Sequence, residues 1–239
     1  MNELSFYQRY TGLDIIPKLI ATDDRESIWI EYRAGERHID LVKAGIDIER
    51  NGQISLDYGK KAAAFINFDR EHPLQDTFDL PAYVTSIINW IHEARTHNAQ
   101  HFSVYKDHFE GYIHRLLKFD HAHWLVPMIS QPDFSSANLF IVGDEVSCIY
   151  DFDTACLVNR LIFIGNMLNS CLHLDRKLVK QGLVRKAGPL PPDDLICGAA
   201  LLIFLATALD RMRDRIIPLP DANQFGAMVL DKIQTALNS

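Results

Sequence analysis

QPDFSSANLFIVGDEVSCIYDFDTA, residues 131–155, is the stretch whose reading decides the fold. Two strand-like apolar runs, NLFIV and EVSCIY, flank the turn pair Gly143-Asp144, which predicts a β-hairpin. Asp133 and Asn138 stand on the approach to the first strand, and Asp151 stands just past the second. A tight hairpin folds its strands back, so residues 138 and 151 are expected at one end of the ribbon, with Asp133 on the loop before it. Asp and Asn are common turn and cap residues, and each alone has that plain reading. Three oxygen-bearing side chains in this order carry a second one. Asn138 and Asp151 are candidate ligands for Mg²⁺, which takes one or two carboxylates together with substrate phosphate oxygens. Asp133 is then left as the candidate base for a hydroxyl proton. The spacing D-x-x-x-x-N, with an Asp after the next strand, suits phosphoryl transfer, in which one carboxylate orients a hydroxyl and two further oxygens hold a phosphate-bound metal.

Working outward, the chain has 239 residues, of which 48% are apolar, and a formal net charge of −7. That is long enough and apolar enough to bury a substantial core. Lys and Arg are scattered with no basic block, so no nucleic-acid partner is expected. Cys148, Cys156, Cys171 and Cys197 form no C-x-x-C pair, and the N-terminus lacks a charged-then-apolar leader. Reduced thiols in a cytoplasmic protein are expected. The longest apolar run, Leu195 to Leu209, falls short of the ~20 residues that span a bilayer, so no membrane association is expected.

Residues 14–33 read as two strands around the polar turn TDDRES, and Gly35 in AGERH breaks the pattern. KKAAAFINF, inside 36–75, has a helical reading. Asp79 and Pro81 are helix-start residues, followed by Val84, Ile87, Ile88 and Ile91 on one helical face. Tyr105, Phe109, Tyr112, Ile113, Leu116 and Leu117 repeat that period. After the hairpin, Leu161 to Leu174, Leu195 to Met212 and Phe225 to Leu237 read as helices, with AGPLPPDD as a break. The order is strands, helices, hairpin, helices, which predicts an α+β fold with a helix-rich C-terminal part.

PDFSSANLFI followed by CIYDFDTA resembles the catalytic loop and metal-binding segment of the aminoglycoside phosphotransferase and choline kinase-like family, whose fold is that of the protein kinases. IPKLIATDDRESIWIEYRAGE resembles that family's last two N-lobe strands and hinge. The resemblance implies a protein kinase-like fold with residues 1–35 as residual N-lobe strands and hinge. Residues 36–239 would be a helical C-lobe carrying the catalytic β-hairpin. It implies ATP and Mg²⁺ as cofactors, with the backbone at Glu31 and Arg33 facing the adenine. Asp133 would be the base, Asn138 and Asp151 the metal ligands, and a small-molecule hydroxyl the acceptor.

The sequence also departs from the family. Ahead of the first strand, residues 1–13 carry no Gly-rich loop and no Lys to clamp the phosphates, and Lys18 lies on a later strand. The catalytic loop opens with Gln131 where the family has His. Phe163 stands where the family tends to place a bracing Asp. A second reading is therefore a catalytically degenerate, kinase-like binding protein. A second copy or a partner chain completing the nucleotide site is a further expectation. Asp120, His121 and His123 suggest a metal hydrolase, but zinc needs three or four ligands, and a surface pair of histidines is the plainer reading.

Overall fold

The computed structural model describes residues 3–23, 27–86, 124–130, 135–153, 155–171, 173–196 and 198–200, together with positions 89, 114, 118 and 202. The expected hairpin is present as β5 (Leu139–Val142) and β6 (Glu145–Ile149), paired antiparallel. Alternation puts Leu139 and Ile141 of β5, and Val146 and Cys148 of β6, into the core. On the far side of β5 lies the short β3 (Glu36–Arg37), in register Glu36↔Ile141. Gly35 makes this approach possible. Its φ is +151°, and a Cβ there would come within 3.0 Å of the Ile141 carbonyl oxygen.

The expected strand pair before residue 33 is also present. β1 (Leu19–Thr22) and β2 (Ile28–Ile30) are antiparallel, with a bulge after Leu19. A third pair joins β4 (Pro127–Ser130) to β7 (Cys156–Asn159), immediately before and after residues 131–155.

The helical reading of KKAAAFINF is one part of a longer helix. After α2 (His38–Lys43), α3 runs from Ile48 to Glu71, capped by Asp47, whose carboxylate accepts from the Arg50 amide at 2.8 Å. α3 is the support of the hairpin. The Arg50 guanidinium donates to the Gly143 carbonyl at 2.8 Å, at the turn. Further along, Asp57 accepts from the Val146 amide at 2.9 Å, and the Lys61 ammonium donates to the Val146 carbonyl. Positions 50, 57 and 61 share one helical face, so one stripe of α3 serves both the turn and strand β6.

The first residues form a helix that the sequence reading left unassigned, α1 (Glu3–Tyr10), with Phe6, Tyr7 and Tyr10 fully buried. Phe6 stacks on Phe152 with ring centroids 3.9 Å apart, and Tyr10 meets Phe65 of α3 edge-on at 5.0 Å. Polar contacts fix the same helix. The buried Asp69 carboxylate receives the Arg9 guanidinium and, at 2.6 Å, the Tyr10 hydroxyl, while Arg9 also reaches the His72 carbonyl at 2.6 Å. Burial pushes the Asp69 carboxyl above its ordinary range, against the pull of Tyr10 and Arg9.

A helix begins at residue 80 with Asp79 as cap, its carboxylate accepting from the Ala82 amide at 2.9 Å. The apolar run from Leu161 is a helix over Arg160–Ser170, one turn shorter than the sequence reading. It stops because Cys171 leaves helical geometry and His173 has φ +71°. Asp175 then caps a new helix, Arg176–Ala187. Cys148, Cys156 and Cys171 are free thiols. Residues 24–26, the helix read over 105–117, Asp120, His121, His123, Cys197 and the two last helices beyond residue 202 lie outside the described residues. No helix among the described residues is long and apolar enough to cross a membrane.

Candidate active site

Gln131 and Asp133 lie outside the described residues, so the candidate base has no structural description. Asn138 closes a 3₁₀ turn, Ser136–Asn138, that feeds directly into β5. Its amide donates to the Ser135 carbonyl at 3.0 Å, and its own carbonyl accepts from the Tyr150 amide at 3.0 Å. That second bond extends the β5–β6 ladder one step past Leu139↔Ile149. Asn138 is thereby opposite Tyr150 and next to Asp151, at the open end of the hairpin.

Asp151 breaks the ladder. Its φ is +68°, the left-handed region, which Asp tolerates better than most residues with a Cβ. The turn puts Asp151 and Asp153 at the surface and sends Phe152 between them fully inside, onto Phe6 and Tyr7. The Glu3 carboxylate lies beside the Phe152 amide. Its pKa is raised, chiefly by burial; the Phe152 amide draws it down, and Asp153 and Asp151 add to the rise. α1 therefore fixes the Asp-Phe-Asp segment by packing Phe6 and Tyr7 on Phe152. Nothing in local sequence pattern announces this; the Phe between two Asp residues was the available signal.

The segment after β2 lies near the other side of Tyr150. The Glu31 amide donates to the Lys18 carbonyl at 2.8 Å. The Arg33 amide donates to the Tyr150 hydroxyl at 3.0 Å. The Arg33 guanidinium reaches Glu31 at 3.0 Å and the Asp14 carbonyl at 3.0 Å, and it holds the Glu31 carboxyl below its usual range. The Tyr150 ring meets Phe140 edge-on, with centroids 4.7 Å apart, and burial raises its phenol to about 12. Phe163 is wholly buried, facing Phe65 of α3 with centroids 6.0 Å apart.

Among the described residues no three His, Cys, Asp or Glu side chains are placed to enclose a metal ion. The donor set at the hairpin end is an amide oxygen and a carboxylate. This suits Mg²⁺, which is bound by few protein oxygens plus phosphate, rather than by an all-protein cage.

No protein-family model and no curated protein matches the sequence. Solved structures do. A Ralstonia eutropha protein assigned to the aminoglycoside phosphotransferases matches with TM-score 0.70 at 12% identity, over 98% of this chain and 80% of its own. A choline/ethanolamine kinase family protein from Mesorhizobium loti matches with TM-score 0.65 at 14% identity, over 100% and 78%. The GDP complex of aminoglycoside 2′-phosphotransferase-IIIa matches with TM-score 0.67 at 12% identity, over 98% and 80%.

The chain has a protein kinase-like fold. Its neighbours in that fold are small-molecule phosphotransferases. α1 packs against the Asp-Phe-Asp segment through the Phe6–Phe152 stack.

Proposed function

We propose that the chain is a kinase-type phosphotransferase that moves a phosphoryl group from a purine nucleotide, with ATP as the expected donor, to a small-molecule hydroxyl. The observation that supports this best is the bond from the Tyr150 amide to the Asn138 carbonyl, which seats Asn138 beside the left-handed, surface-exposed Asp151. Asn138 and Asp151 are the residues to hold Mg²⁺. When bound, the ion would neutralise phosphate charge, the largest electrostatic demand of such a transfer. Asp133, five residues before Asn138, is the residue to accept the proton of the attacking hydroxyl. The Phe6–Phe152 stack keeps the Asp-Phe-Asp segment in place. Mg²⁺ fits the oxygen donors; the base end of the nucleotide is less accommodating, because the Arg33 amide already bonds Tyr150.

That last contact, with Phe163 buried in the core, favours a second reading, a kinase-like binding protein without turnover. One experiment separates them. Purified chain is incubated with Mg-ATP and a panel of amino-alcohol and aminoglycoside acceptors, and phosphorylated product is followed by ³¹P NMR. Turnover should fall by roughly 10²–10⁴-fold in Asp133→Ala. Product formation indifferent to Asp133→Ala and to Asp151→Asn refutes the assignment of roles. No product from any acceptor supports the binding-protein reading.

A further inference from the structure

Arg33 and Tyr150 are 117 positions apart, yet the Tyr150 hydroxyl accepts the Arg33 amide hydrogen at 3.0 Å. The phenol oxygen thus holds an N–H of the segment after β2. The Tyr150 ring lies against Phe140 of β5, the neighbouring strand of the ribbon. A flat aromatic ring beside an apolar side chain, with a polar edge on a main-chain amide of the hinge, is what a purine base offers to such a cleft. A structural neighbour, aminoglycoside 2′-phosphotransferase-IIIa, is known as a GDP complex.

We infer that Tyr150 is a built-in plug of the base pocket, occupying the hinge amide of Arg33 in the place of a purine, so that nucleotide binds only when the Tyr150 side chain swings out. This deepens the phosphotransferase reading and rests on it for the identity of the ligand. The contacts around Arg33 bear it out physically. The guanidinium is tied to Asp14 and Glu31, so the hinge amide is held still and presented. The Glu31 amide is consumed by the Lys18 carbonyl. Among the hinge amides of Glu31 and Arg33, the one on Arg33 is therefore the one whose partner is a side chain able to rotate away. The plug sits directly before Asp151, so its rotation is coupled by one peptide unit to the proposed metal ligand.

The test uses the full chain as wild type, Tyr150→Phe and Tyr150→Ala. Binding of adenosine, which carries no phosphate, is measured by calorimetry and by thermal shift, alongside ATP with and without Mg²⁺. Tyr150→Phe frees the Arg33 amide while keeping the ring's bulk, and adenosine should bind about 3- to 10-fold more tightly, the worth of one neutral hydrogen bond. Tyr150→Ala also empties the ring's volume and should bind adenosine still more tightly. Amide exchange at Arg33 should quicken in both variants and slow again on adding adenosine. If Tyr150→Ala does not fold, Tyr150→Phe alone decides. No gain in adenosine affinity in the folded variants overturns the plug, whatever ATP does. A gain for adenosine with no further Mg²⁺-dependent gain for ATP upholds the plug and overturns the phosphotransferase reading instead.

Discussion

Gly59→Ala pits two known effects against each other on one helix. Gly59 and Gly52 both lie within α3, where exchanging Gly for Ala removes backbone entropy from the unfolded chain and is worth up to ~1 kcal/mol of stabilisation. At position 59 the new Cβ would overlap the Val179 carbonyl oxygen, sit 2.9 Å from its carbon, and lie 3.1 Å from the Gly182 Cα. Those neighbours are main chain of the Arg176–Ala187 helix, which cannot rotate aside. The two helices must move apart, at a cost of ~1–3 kcal/mol for overpacking, and the upper end applies where backbone meets backbone. The propensity gain offsets only part, leaving a net loss of about 2 kcal/mol. At position 52 the nearest atom is Leu178 Cδ1 at 3.1 Å, the end of a flexible side chain, so the propensity gain should survive. Urea unfolding of both variants, read as midpoint shifts at unchanged slope, measures the contrast. Gly59→Ala as stable as Gly52→Ala would refute the close crossing. Because Asp57 and Lys61 of the same helix hold Val146, displacement at position 59 should also loosen the turn end of the hairpin.

Phe6→Ala should cost about 3–5 kcal/mol, since Phe6 is wholly buried and stacked on Phe152. A loss under ~1 kcal/mol in the same urea experiment would mean that α1 does not pack there. His38 supplies a pH dependence. Its Nε2 lies 2.8 Å from Asn51 Oδ1, while buried Nδ1 has no partner among the described residues, and burial lowers its pKa below 6.5. The folded state then binds fewer protons than the unfolded one, so the stability held above pH 6.5 is lost as pH falls from there through the folded-state pKa. His38→Gln should flatten that slope in melting-temperature measurements from pH 7.5 to 5; an unchanged slope would assign it to other groups.

Local pattern alone carried the hairpin. Period-two apolar residues around Gly143-Asp144 have one good solution, because a register slip would turn Leu139, Ile141, Val146 and Cys148 out of the core. The Asp79 cap and the strand pair before Arg33 were legible for the same reason, since their partners lie within a few residues. α1 was not. Its buried residues, Phe6, Tyr7 and Tyr10, show too short a periodic run to separate helix from loop, and its fold comes from Phe152, Phe65 and Asp69.

The site divides in the same way. The order Asp133, Asn138, Asp151 is a one-dimensional spacing, and a hairpin between the last two brings their backbones together by geometry the sequence already contains. The glycines at the α3 crossing, the Glu3 carboxylate beside the Phe152 amide and the Tyr150 hydroxyl on Arg33 join residues far apart along the chain. Such contacts leave no periodicity to read, because they depend on how packed elements are set against each other. The sequence by itself placed Asn138 and Asp151 at the two strand ends of one hairpin; only the tertiary packing decided that the hairpin's own tyrosine lies on the Arg33 amide, because that contact joins residues 117 positions apart.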